Sequence, residues 1–115
     1  MKWLQLNDIS QLDLISKESS LPEIQSVLIF KHSTRCSISN MSHGRLERSW
    51  KDNPAIPVYY LDLLNHRDIS DEIASRFDVQ HESPQALLIK DGKCIYHSSH
   101  SDISSADLIA AAAKS

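Results

Sequence analysis

The most constraining feature is a short apolar run, Ser26-Val27-Leu28-Ile29-Phe30-Lys31, rich in β-branched and aromatic side chains. Its length favours a strand over a buried helix, and its lack of alternation calls for cover on both faces. The rest of the chain supplies that cover. Trp3 to Leu6 reads as a short first strand. Asp8, with Gln11 three residues on, has the pattern of a helix cap, and Ile9, Leu12 and Ile15 follow at helical spacing. Pro22 falls in the exit loop. After the central run, Ser37 to Trp50 reads as a helix with Ile38, Met41 and Leu46 toward the core, and Asn53-Pro54 and Pro57 break the chain beyond it.

Val58 to Leu63 is a third strand. Asp68, with Asp71, opens a helix whose Ile69, Ile73 and Phe77 recur every four residues. Ser83-Pro84 precedes the strand Gln85 to Lys90. Asp91-Gly92 is the strongest hairpin signal, and Cys94 to His97 returns from it. Ser104 caps a last helix carrying Leu108, Ile109 and Ala112. The order β-α-β-α-β-α-β-β-α is an α/β architecture: a central mixed sheet flanked by helices. Helical crossovers imply parallel pairing early in the chain, and the hairpin adds an antiparallel edge. This is a thioredoxin-like fold, expected as a single domain over residues 1–115.

A chain of 115 residues with 41% hydrophobic content can build a core without disulfide staples, which leaves both cysteines free for other work. A net charge of -3 gives no general pull toward nucleic acid or anionic membrane. No apolar run approaches the roughly 18 residues of a membrane span. The first residues turn polar too soon for a secretory signal, so a cytoplasmic location with reduced thiols is expected.

Cys36 is the leading candidate for chemistry, because it stands where the central strand gives way to a helix. Unpaired amides and the dipole at a helix N-terminus favour thiolate, the nucleophilic form. Between Lys31 and Lys51 five cations face one acid, Glu47, a local charge of +4 expected to form a cationic rim around the sulfur. The motif is C-x-x-S: Ser39 stands where a dithiol enzyme has its resolving cysteine. Its hydroxyl either donates to the Cys36 thiolate or caps the helix. Without a resolving thiol, a mixed disulfide on Cys36 needs an external thiol to release it.

Pro84 either starts a strand or forms a cis peptide that would turn the Ser83 backbone toward Cys36 and an extended substrate. Cys94 reads as a structural cysteine rather than a resolving one. Cys94, His97 and His100 have a superficial metal spacing, but a regular strand points Cys94 and His97 to opposite faces, and no metal is expected. His32, His43, His66 and His81 look scattered. Gly44 interrupts its helix and is assigned no chemistry.

The segment Lys31-His32-Ser33-Thr34-Arg35-Cys36-Ser37-Ile38-Ser39 resembles the active-site motif of the monothiol bacilliredoxin (YtxJ-like) family, which has a thioredoxin-type fold. His81-Glu82-Ser83-Pro84-Gln85 and Ser99-His100 are similar to its later motifs. The resemblance implies removal of bacillithiol from protein mixed disulfides, with Cys36 attacking and Pro84 as a cis proline beside it. Ser37 stands where the family usually has proline. It restores an N–H near the sulfur and bears on thiolate stability and reduction potential.

The expected activity is therefore monothiol thiol–disulfide exchange, with Thr34, Arg35, Ser37, Ser39, Ser83 and Pro84 supporting the thiolate or the substrate. No bound cofactor is expected. A low-molecular-weight thiol is the co-substrate, S-thiolated proteins are the clients, and the chain is expected to be a monomer. Two other classes compete. An iron–sulfur carrier of the monothiol-glutaredoxin kind would be coloured, but such proteins resemble C-G-F-S, which Ser37-Ile38 does not. A non-catalytic adaptor or stress protein would bind partners without Cys36.

Overall fold

The computed structural model describes residues 1–114; Ser115, the last residue of the expected domain, lies outside the described residues. Its elements are β1 (Leu4–Gln5), α1 (Gln11–Glu18), β2 (Val27–His32), α2 (Ser37–Ser49), β3 (Val58–Asp62), α3 (Arg67–Arg76), β4 (Gln85–Lys90), β5 (Lys93–Ser99), a 3₁₀ turn at His100–Asp102 and α4 (Ser105–Ala113). The five strands lie in the order β1-β3-β2-β4-β5. All six residues of β2 are buried, as a mid-sheet strand covered on both faces requires.

Period-two alternation along β2 divides the core. Val27 and Ile29 pack with Leu12 and Ile15 of α1 and with Ile69 and Ile73 of α3. Leu28 and Phe30 pack with Leu46 and Trp50 at the end of α2 and with Leu108 and Ala112 of α4. The same alternation sends Lys31 toward α1 and α3, and His32 toward α2.

Parallel pairing holds for β1 with β3 and for β2 with β3. Antiparallel pairing, expected only at the hairpin edge, extends to the middle of the sheet, because β4 runs antiparallel to β2 with Lys31 opposite Gln85. The segment from α3 to Pro84 goes out and back, delivering β4 to the end of the sheet where β2 and β3 finish. That end carries the candidate site.

Three helical details differ from the sequence reading. The Asp8 cap acts one turn early: its carboxylate accepts from Ser10 N–H at 2.9 Å, and Gln11 Oε1 accepts from Asp8 N–H at 2.9 Å, before the regular helix begins at Gln11. Asp68 lies in the first turn of α3 rather than capping it, since His66 holds the cap position. Ile38 and Met41 are 50% and 64% exposed, and Ser39, Ser42 and Leu46 form the inward stripe of α2 instead. Hydrogen bonds hold that part of the helix: Ser42 Oγ donates to the His100 carbonyl at 3.0 Å.

The hairpin turn takes positive φ at both Asp91 (53°) and Gly92 (73°), as a two-residue turn matched to strand twist does. On β5 the register slips so that Leu88 faces Tyr96 and Ile89 faces Cys94. Ile95 is the extra residue of a β-bulge, which reverses the alternation and puts Cys94 and His97 on one face rather than opposite faces. Among the described residues, no three His, Cys, Asp or Glu side chains gather as a metal site.

Candidate active site

Cys36 is half-buried and holds the cap position of α2 in an extended conformation, with φ -105° and ψ 122°. Its N–H donates to the Ser33 carbonyl at 3.1 Å, closing a tight turn, and its carbonyl accepts the Asn40 N–H at 3.0 Å. The sulfur makes no capping hydrogen bond. Among the described residues no backbone acceptor takes the N–H of Ser37, Ile38 or Ser39. These amides are the positive pole of α2. Ser37 contributes one that a proline could not.

Ser39 does neither of the two things expected of it. Its side chain is fully buried, and its oxygen accepts from Ser33 N–H at 3.0 Å while standing 2.6 Å from His32 Nδ1. The hydroxyl thus ties the end of β2 to the first turn of α2 and is not directed at the sulfur. Thr34 and Arg35 are exposed on the turn, and the Thr34 carbonyl accepts from Asn40 Nδ2 at 3.2 Å.

The Ser83–Pro84 peptide is cis. Because Gln85 pairs with Lys31, Pro84 lies at the end of the sheet where Cys36 follows β2. Pro84 is buried, and its carbonyl accepts from His100 N–H at 3.0 Å. His100 Nε2 also stands 3.4 Å from Glu82 Oε2, so the two later motifs meet here. No described residue hydrogen-bonds the Ser83 backbone.

The cationic rim is smaller than its sequence count. Lys31 is completely buried on the opposite face of the sheet from α2, with no hydrogen-bond partner for Nζ. Burial pushes its pKa down to about 8, against the opposing pull of Asp71 and Glu82. Arg35 and Arg45 remain exposed, and Arg45 donates to the Ser101 carbonyl at 3.2 Å. A groove of about 160 Å³ runs beside α2, lined by Ile38, Met41, Ser42, Arg45, His100 and Ser101. Larger cavities, against α4 and at the far end of α2, do not reach Cys36.

Two histidines that look scattered in sequence are neighbours. The His32 and His43 rings lie 4.8 Å apart, with Phe30 and Tyr60 stacked or tilted against both. Trp3 completes the cluster, and its Nε1–H donates to Glu47 Oε1 at 3.1 Å. His43 Nε2 is 3.0 Å from the same oxygen, an ion-pair distance without hydrogen-bond alignment. Only the packing of α2 on β2 brings these rings together, so no local signal marks them.

Burial, and next the neighbouring His43, push the His32 pKa below its ordinary 6.5, with Asp62 opposing. The unfolded chain therefore binds the extra proton first as pH falls, and the native state loses stability between 6.5 and the lowered value. Urea unfolding at pH 7 and pH 5 should show this loss, and His32→Asn should diminish it.

A cysteine raised on the first turn of a helix, with a cis proline at the same end of a mixed sheet, defines a thioredoxin-fold protein of the thiol–disulfide oxidoreductase class. The monothiol bacilliredoxin BrxC family matches residues 4–108, and the chain belongs to that family. A solved protein with a thioredoxin fold, to which oxidoreductase activity has been ascribed, is 31% identical over 94% of this chain and 91% of its own, with a TM-score of 0.75. Thioredoxin from Malassezia sympodialis is 18% identical over 98% of this chain and 90% of its own, with a TM-score of 0.72. Thioredoxin from Fasciola hepatica is 16% identical over 96% of both chains, with a TM-score of 0.69. The last two likenesses carry the fold alone.

Proposed function

We propose that the protein removes a low-molecular-weight thiol, bacillithiol, from protein mixed disulfides by a monothiol route through Cys36. The Cys36 thiolate attacks the bacillithiol sulfur of the mixed disulfide. A new disulfide forms between Cys36 and bacillithiol, and the client leaves as a thiolate that takes a proton from solvent. A second bacillithiol, as thiolate, then attacks the bacillithiol sulfur held on Cys36, forming bacillithiol disulfide and freeing Cys36. No metal or prosthetic group takes part, and the protein acts as a monomer.

The observation that carries this reading is the placement of Cys36 over unpaired helix amides with Ser39, already engaged by β2, one turn away. Those amides stabilise the sulfur as nucleophile and as leaving group. The unpaired Ser83 backbone offers an extended client segment a strand-like partner. Thr34, Arg35 and Ser37 line the exposed side of the turn, where the small thiol would enter.

The test presents the protein with a client carrying bacillithiol, and in parallel with one carrying glutathione, and follows client mass. Faster release of bacillithiol, with transient mass on Cys36, is expected. An unchanged bacillithiolated client in the presence of folded protein would overturn the activity, and equal release of both thiols would overturn the assignment of bacillithiol.

A further inference from the structure

We propose that Ser39 and His32 act together as a positioning pair: they lock the Ser33–Cys36 turn and so hold Cys36 at the cap position of α2, next to its free amides. The inference deepens the proposed function and rests on it for its catalytic meaning. In this view the last residue of C-x-x-S is not simply the absence of a second thiol.

Ser33 N–H donates to Ser39 Oγ at 3.0 Å, and the same oxygen stands 2.6 Å from His32 Nδ1. In the neutral ring with its proton on Nε2, Nδ1 accepts the Ser39 hydroxyl proton, so that Ser39 accepts from the turn and donates to the ring. Both side chains are buried, Ser39 wholly and His32 all but 2%, so neither can exchange its partner for water. Cys36 N–H closes the other side of the same turn on the Ser33 carbonyl. Ser33 is thus held at both its N–H and its C=O.

His32 is itself fixed from two elements. From α2 come His43, 4.8 Å away, and Asn40 beside it; from β3 come Tyr60, at 5.5 Å, and Asp62, its ladder partner. Glu47 reaches the cluster through His43 and Trp3. Burial and His43 keep the ring neutral at neutral pH, the form that accepts the Ser39 proton. Protonation would place N–H on both ring nitrogens and reverse the hydrogen bond, so that Nδ1–H donates to Ser39 Oγ and the hydroxyl proton loses its acceptor.

The experiment is the pH profile of iodoacetamide alkylation of Cys36 in the full chain, read by intact mass on a Cys94→Ser background. It needs no client or bacillithiol. Ser39→Ala and His32→Leu should each slow alkylation at pH 7 about tenfold, roughly one lost hydrogen bond, and move the midpoint of the profile upward. The double variant should be no slower than the slower single, because the two act as a unit. His32→Asn, which can accept at the Nδ1 position, should stay within about twofold of the parent.

A folded Ser39→Ala protein with the parent profile overturns the proposal, as does a double variant about a hundredfold slower. Should Ser39→Ala lose its circular dichroism, His32→Asn and His32→Leu decide, and identical profiles for those two overturn it. If the profiles respond as expected but the parent leaves bacillithiolated clients unchanged, the proposed function fails and the clamp stands. If clients are processed while the profiles do not respond, the clamp alone fails.

Discussion

Cys36→Ser is expected to stop transfer of the small thiol from client proteins, a loss of roughly a thousandfold or more, whereas Cys94→Ser stays within about twofold of the parent. A serine hydroxyl is not ionised by helix amides alone, so the nucleophile is gone. Cys94 cannot substitute. It pairs with Ile89, which pairs with Val27 at the start of β2, while Cys36 follows the far end of that strand. Five residues of strand separate those levels, about 16 Å, well beyond the roughly 7 Å limit on Cα separation for a disulfide. Burial also pushes the Cys94 thiol up, and its Sγ donates to the Tyr96 carbonyl at 3.4 Å. Rates of client release by the two variants check the expectation. A Cys94→Ser enzyme stalled with thiol on Cys36 would contradict it.

Lys31→Met is the second large expected effect, and its sign is a gain in stability. Lys31 is wholly buried without a hydrogen-bond partner for its ammonium, and burial lowers its pKa from 10.5 to about 8. At about 1.4 kcal/mol per unit, that cost is on the order of 3 kcal/mol. The unfolded chain holds its lysine proton more tightly than the native state does. The cost is therefore fully present below pH 8 and fades as pH rises toward 10.5. Methionine has a similar shape and no charge, so at pH 7 the variant should melt about 10 °C higher. Its melting temperature should lack the parent's rise between pH 8 and 10.5. A variant that melts lower at pH 7 would show that the ammonium stabilises the native state.

The fold was legible because each element declared itself locally: a β-branched run at Val27–Phe30, helical spacing at Ile69 and Ile73, Asp91-Gly92 at the turn. Cys36 was legible for the same reason, since its position between strand and helix is a fact of sequence order. What escaped depends on packing across elements. Ile38 and Met41 have the composition of a core face, yet hydrogen bonds from Ser39 and Ser42 turn α2 the other way. Lys31 looks like one of five cations, until alternation along β2 puts it beneath the sheet. His32 and His43 are eleven residues apart and meet only when α2 lies on β2. The bulge at Ile95 has no local mark, and it alone decides which way Cys94 and His97 face.

The most direct test of single-sulfur exchange is the intact mass of the protein after exposure to bacillithiol disulfide, for the parent and for both cysteine variants. A gain of one bacillithiol is expected, absent in Cys36→Ser and retained in Cys94→Ser. Loss of two hydrogens with no added thiol, the mark of an internal Cys36–Cys94 disulfide, would contradict it.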